Sequence, residues 1–163
     1  MKFLFNLILK IVDFFYKKKI IFFFKNNLNN NLDILIDIGA HKGETIQGFL
    51  SFFKIKNIYS FEASPKNFKI LKKNTIKYPS DKVEIYNYGM GDKISKSFIN
   101  QTLESSSSTI NKLNNDSKYF KRKLKILKIK NKDSFFHQVP ISLFTLDDFI
   151  EKNSIKNIDL LKI

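Results

Sequence analysis

The stretch "LIDIGAHKGE", from Leu35 to Glu44, constrains the fold more than any other part of the chain. An apolar, β-branched run reaches Asp37, two glycines follow four residues apart, and Glu44 opens a helix-compatible segment. A short apolar run bounded by glycine reads as a strand buried on both faces. A glycine turn leading into a helix sets free N–H groups at the carboxyl end of that strand. In an open α/β sheet, ligands bind there.

The chain around this turn alternates strands and helices. "DILIDIG" is the first strand. "ETIQGFLSFFK" has Ile46, Phe49, Leu50 and Phe53 at helical spacing, and "NIYSFEA" is a second strand. Ser64 is suited to the N-cap and Pro65 to the first position of a second helix, "KNFKILKKNTIK", with Phe68, Leu71 and, less regularly, Ile70 and Ile76 as its apolar positions. "KVEIYNYG" is a third strand. Farther on, "VPISLF" is a strand, Thr145 with Asp148 caps the helix "LDDFIEKN", and "NIDLLKI" is a fourth core strand that should lie beside the first. This order predicts a doubly wound α/β fold with a mostly parallel, Rossmann-like sheet. Asp92 to Gln138 is less regular: "ESSSST" reads as a polar loop, and "KYFKRKLKILKIKNK" as a solvated hairpin or edge strand.

Residues 1–31 stand apart from this domain, which spans 32–163. Asn6, Lys10, Asp13 and Lys17 fall on one narrow helical stripe in an otherwise apolar surface. The apolar runs are much shorter than the about 20 residues of a membrane span, and Asn6 and Lys10 interrupt any signal-peptide core. Two readings stay open: a helix packed on the domain, or peripheral membrane contact through residues 1–25, with Lys17, Lys18 and Lys19 toward anionic headgroups. The expected location is the cytoplasm, at the inner face of the membrane under the second reading. Asn26 to Asn31 reads as a short linker.

Composition removes several functions. There is no cysteine, hence no disulfide framework or thiolate metal site. His41 and His137 are the only histidines, so no multi-histidine metal site is expected and no metal ligand is assigned. The net charge of +14 is almost all lysine, with Arg122 the single arginine. Arginine is the residue that reads phosphates and guanines in bidentate fashion, so no nucleic-acid partner is expected.

The turn narrows the ligand further. The dinucleotide fingerprint needs G-x-G-x-x-G, and a P-loop needs G-K-[ST] after its second glycine. Here Ala40, His41 and Lys42 separate Gly39 from Gly43. Asp37 and Glu44 make a poor phosphate cradle and a better one for a cation. Glu62 ends the second strand, where an acid can accept both hydroxyls of a ribose; otherwise it is a surface carboxylate. A ligand with a ribose, no pyrophosphate, and a positive charge or amino-acid group is implied. S-adenosylmethionine meets all three conditions. The rival enzyme class is a nicotinamide oxidoreductase.

These segments together resemble the FkbM-type methyltransferases, which move methyl from S-adenosylmethionine to hydroxyl groups. The resemblance runs from Leu32 onward, on "IDIGAHKGE", "YSFEASPKNFKILKKN", "YNYGMGD", "SSSST" and "TLDDFIEKNSIKNIDLLKI". It implies the seven-strand methyltransferase sheet, with about four core strands in this chain. It also implies that Asp37, Gly39, Ala40 and Gly43 line the methionine end of the cofactor, that Glu62 binds the ribose, and that Ala63 and the Gly89-Met90 turn flank the adenine. His41 stands where the family more often has asparagine; it either touches the cofactor or faces solvent. The implied acceptor is a hydroxyl on a sugar, a glycan or a similar small molecule. In the family "LLKI" is followed by an aspartate and an acidic-glycine motif. This chain stops at Ile163, so no catalytic residue is assigned and a partial sequence is expected. The alternative is a non-catalytic cofactor-binding or membrane-associated module.

Overall fold

A computed structural model describes residues 19, 20, 22–102, 108–111, 114, 116–127, 129 and 135–163. The first strand, β1 (Asn31–Ile38), leads through the glycine turn into α1 (Glu44–Leu50) and then β2 (Lys54–Phe61). Helix α2 (Pro65–Thr75) crosses to β3 (Val83–Tyr86). Far along the chain, α4 (Leu146–Lys152) precedes β7 (Leu160–Lys162). These four strands form one parallel sheet in the order β3-β2-β1-β7. Leu35 sits in register with Ile58 on one side and Leu160 on the other. The parallel, doubly wound pattern and the pairing of the last strand with the first are thus as the sequence predicts.

Both faces of the sheet are covered, which is why its strands read as near-continuous apolar runs. On one face Leu35 and Ile58 pack with Ile46 and Phe49 of α1 and Leu71 of α2. On the other, Ile36 and Phe61 pack against Phe149 of α4, with Tyr59, Tyr86 and Tyr88 around them. Phe61 meets Phe149 edge-on at 4.9 Å and stacks on Tyr86 at 5.2 Å, both favourable aromatic geometries. Two caps fix where helices begin. Ser64 Oγ accepts from Asn67 N ahead of Pro65, and Thr145 Oγ1 accepts from Asp148 N while donating to the Asp148 carboxylate. Helix α2 stops at Thr75, so Ile76 lies past its end and is 83% exposed.

A second sheet has the order β4-β6-β5, from β4 (Gly89–Met90), β5 (Ser95–Thr102) and β6 (Phe136–Phe144). The segment expected as one third strand is therefore two elements. Asn87 Nδ2 donates to Glu62 O at 2.8 Å and to Ala63 O at 3.3 Å, and the chain leaves the first sheet at that residue. Strand β6 contains the expected "VPISLF" and starts earlier, paired antiparallel with β5 from Ser95↔Leu143 to Thr102↔Phe136.

The basic segment corrects a prediction. Over residues 118–127 it is not a hairpin or edge strand. Its first ten residues form helix α3 (Lys118–Leu127). Ser117 Oγ accepts from Phe120 N at 3.1 Å, a cap that starts the helix. Phe120 and Leu124 lie one turn apart, and Phe120 is buried edge-on against Phe135 at 5.6 Å. The local lysine–apolar alternation mimics a strand, while in the helix Phe120 is the residue that packs.

The polar stripe Asn6 to Lys17 lies outside the described residues, as do 104–107 of the polar loop. Residues 22–27 are helical. Phe24 packs on Phe49 at 5.5 Å and Leu28 joins the same core, whereas Phe22 and Phe23 are exposed. Among the described residues no helix is long and apolar enough to cross a membrane.

Candidate ligand cavity at the strand ends

A cavity of about 640 Å³ opens at the carboxyl ends of β1 and β2, with walls from both sheets. Six of the residues singled out from sequence line it: Gly39, His41, Glu62, Ala63, Gly89 and Met90. The glycine turn is wound with positive φ at Gly39 (75°), His41 (52°) and Gly43 (89°). Gly39 N and Ala40 N both donate to Phe61 O at 2.9 Å, tying the turn to the end of β2.

Glu62 completes that tie. His41 N donates to its Oε2 and Ser64 N to its Oε1, each at 2.8 Å. The carboxylate is only 6% exposed, yet it lies on the cavity wall. A carboxylate has about four acceptor positions, so about two remain for donors on a ligand. The geometry suits a pair of vicinal hydroxyls.

Asp37, Ala40 and Gly43 do not line the cavity. Ala40 is 2% exposed and belongs to the apolar core under the turn. Gly43 lies against α2, where an added Cβ would come within 3.0 Å of Leu71 Cδ1, so this glycine serves packing and a left-handed turn. Gly89 is a close approach of another kind. A Cβ there would meet Leu143 Cδ2 at 2.9 Å and Ala63 Cβ at 3.3 Å, narrowing the cavity wall.

Asp37 is fully buried behind the turn. Lys162 Nζ reaches its Oδ1 at 2.9 Å. Burial pushes the Asp37 carboxyl above its ordinary range; Lys162 and the Thr45 hydroxyl pull it back without cancelling the shift. At the mouth of the turn, His41 Nδ1 lies 3.3 Å from Glu44 Oε1, and Lys42 N donates to Glu44 Oε2 at 3.1 Å. Burial raises Glu44, but its own backbone N–H, His41 and the Lys42 N–H outweigh it and leave that carboxyl below its ordinary range.

Several cavity residues escaped the sequence reading, among them Asn67 and Lys162. Asn67, 1% exposed, lines the wall, and its Oδ1 is buried without a hydrogen-bond partner. It sits in the first turn of α2, where the sequence shows only a capped helix. Lys162 lines the same cavity from β7. The signal available for it was one lysine inside the apolar "LLKI". Among the described residues no group of three histidine, aspartate or glutamate side chains is placed to hold a metal ion.

The wall thus offers a carboxylate with free acceptor positions, an orphaned buried amide oxygen and a glycine-floored approach at Gly89. Those features fit a neutral ribose and a flat heterocycle better than a phosphate. The sequence model described as the methyltransferase FkbM domain matches residues 37–163. Among solved structures, the chain is similar to the methyltransferase FkbM from Methylobacillus flagellatus, at 12% identity and a TM-score of 0.43, over 74% of this chain and 23% of that one. It is also similar to a candidate RNA methyltransferase from Pyrococcus horikoshii, at 15% identity and a TM-score of 0.39, over 44% of this chain and 36% of that one. The chain therefore spans about a quarter of the first structure's length and about a third of the second's. No curated protein matches the sequence.

Proposed function

Because the chain belongs to the FkbM methyltransferase domain family, we propose that this cavity holds S-adenosylmethionine and that the protein methylates a hydroxyl of a sugar, a glycan or a similar small molecule. The observation that carries the cofactor reading is Glu62. It is held by two backbone N–H groups on one side and faces the cavity on the other. The ribose hydroxyls donate to its remaining positions. Ala63 and the Gly89-Met90 strand flank the adenine, with Gly89 giving the room that a side chain would fill. The turn from Gly39 to His41 borders the methionine end, with Asp37, Ala40 and Gly43 supporting it from behind.

When bound, the cofactor supplies a methyl group on a sulfonium, a good leaving group. The protein's task is then to hold the acceptor oxygen in line with that methyl and to keep water out, and positioning of this kind is worth several kcal/mol. Residues 32–163 act as the cofactor-binding domain. Residues 1–31 form a separate amino-terminal segment, of which Phe24 and Leu28 pack on the domain core.

Calorimetry with S-adenosylhomocysteine tests the site. Glu62→Ala should weaken binding by about 1.5–3 kcal/mol, the worth of hydrogen bonds to a charged group. Glu62→Gln keeps part of the staple to His41 and Ser64 and should lose less. Unchanged affinity in Glu62→Ala rejects the ribose assignment. Binding of NAD with none of S-adenosylhomocysteine decides for the oxidoreductase class.

A further inference from the structure

We infer that Lys162 is a positioning residue for this site, clasping the glycine turn from behind through its charge. The inference rests on the cofactor reading only for what the turn holds. The clasp itself is visible in the structure. Lys162 Nζ lies 2.9 Å from Asp37 Oδ1, 2.9 Å from Gly39 O and 3.1 Å from Ile38 O. Two of its N–H donors go to the carbonyls at the end of β1, and the charge pairs with the buried carboxylate of Asp37. Lys162 also lines the cavity, so its ammonium lies between the turn and the ligand space.

The turn is gripped from two sides as a result. The N–H groups of Gly39, Ala40 and His41 go to Phe61 O and Glu62, and the Ile38 and Gly39 carbonyls accept from Lys162. The left-handed φ at Gly39 and His41 is held between these two sets of bonds. The Asp37 side chain is 0% exposed, while that of Lys162 is 36% exposed. Removing the lysine would leave a carboxylate buried in an apolar core with no cation, a costly arrangement. The other groups near Asp37 offer no replacement. Thr45 and Glu44 lie on α1, and His41, in the turn, is turned to Glu44.

The test compares wild type, K162M, K162R and the double variant D37N/K162M. Affinity for S-adenosylhomocysteine is measured by calorimetry across pH, and hydrogen exchange is followed at the Gly39, Ala40 and His41 amides. K162M should bind about 30-fold or more weakly and exchange faster at those amides. Its loss should ease as pH falls, because a protonated Asp37 needs no counter-ion. D37N/K162M should recover to within about tenfold of wild type and lose that pH dependence. His41 and Glu44 are unchanged in both variants, so the difference belongs to Asp37. K162R should fall between wild type and K162M. Wild-type affinity and exchange in K162M overturn the inference. A double variant as weak as the single one also overturns it, since the lysine would then act by packing alone. If K162M does not fold, a folded double variant supports the clasp and an unfolded one rejects it. Absence of binding by the wild type rejects the cofactor reading, and the exchange comparison then decides the clasp alone.

Discussion

The two sheets bury opposite chemistry. The parallel sheet encloses Leu35, Ile36, Ile58 and Phe61, each at most 1% exposed, between helices on both faces. The second sheet buries Ile99, Ile141 and Leu143 beside a polar row, Asn100, Gln101 and Thr102 on β5. Gln101 Oε1 accepts from Ser64 Oγ at 2.5 Å, and Asn100 Nδ2 donates to Asn111 O at 3.1 Å. One sheet is held by apolar area, which is forgiving of direction. The other depends on hydrogen bonds that are costly when one partner is lost. The cavity lies where the two meet, lined by Glu62 and Lys162 from the side of the parallel sheet and by Gly89, Met90, Ile99 and Leu143 from the second.

Four substitutions sharpen or break that contrast. Leu71→Ala empties a fully buried site in the parallel-sheet core and should lower unfolding free energy by about 2–5 kcal/mol in chemical denaturation. Ile141→Ala, in the smaller cluster, should cost less than half as much; equal losses would mean that the second sheet is as well packed as the first. Ser64→Ala should cost about 1–3 kcal/mol, because it orphans buried Gln101 Oε1 and removes the α2 cap. A loss below about 0.5 kcal/mol would show that the polar layer contributes little. The smallest effect is expected for Ser117→Ala, which removes the α3 cap at a cost of about 1 kcal/mol. Circular dichroism should show that loss as fraying of α3, with the parallel sheet unchanged.

The same contrast explains what could be read from sequence. β1 and β2 are buried on both faces, so Leu35-Ile36 and Ile58 stand out as apolar runs, and Ser64-Pro65 and Thr145 mark helix starts by their chemistry. β5 was invisible because three of its four buried residues are Asn100, Gln101 and Thr102, which look like loop residues until their partners are known. α3 misled because lysines alternate with apolar residues locally, and the Ser117 cap lies outside the stretch that was read as a strand. At the site, Gly39 and Glu62 were legible from their places at strand ends. The division of labour between Gly39, which borders the cavity, and Gly43, which packs on Leu71, was not, since both are glycines in one short turn. Lys162 was hidden by distance, because its partners lie at the other end of the domain.

That distance also sets an order in time. Asp159 Oδ2 accepts from the backbone N–H groups of Asp33 and Ile34, about 126 residues earlier in the chain. At the about 5–20 residues per second of synthesis, the β1 edge waits roughly 6–25 s for that cover. During this interval β1, β2 and β3 can pair, but β1 is an open apolar edge of the kind that recruits other strands. Asp37 is still hydrated then and has no cation. Burying it before Lys162 emerges would be unfavourable, so the charge delays closure of that edge until the right strand is available.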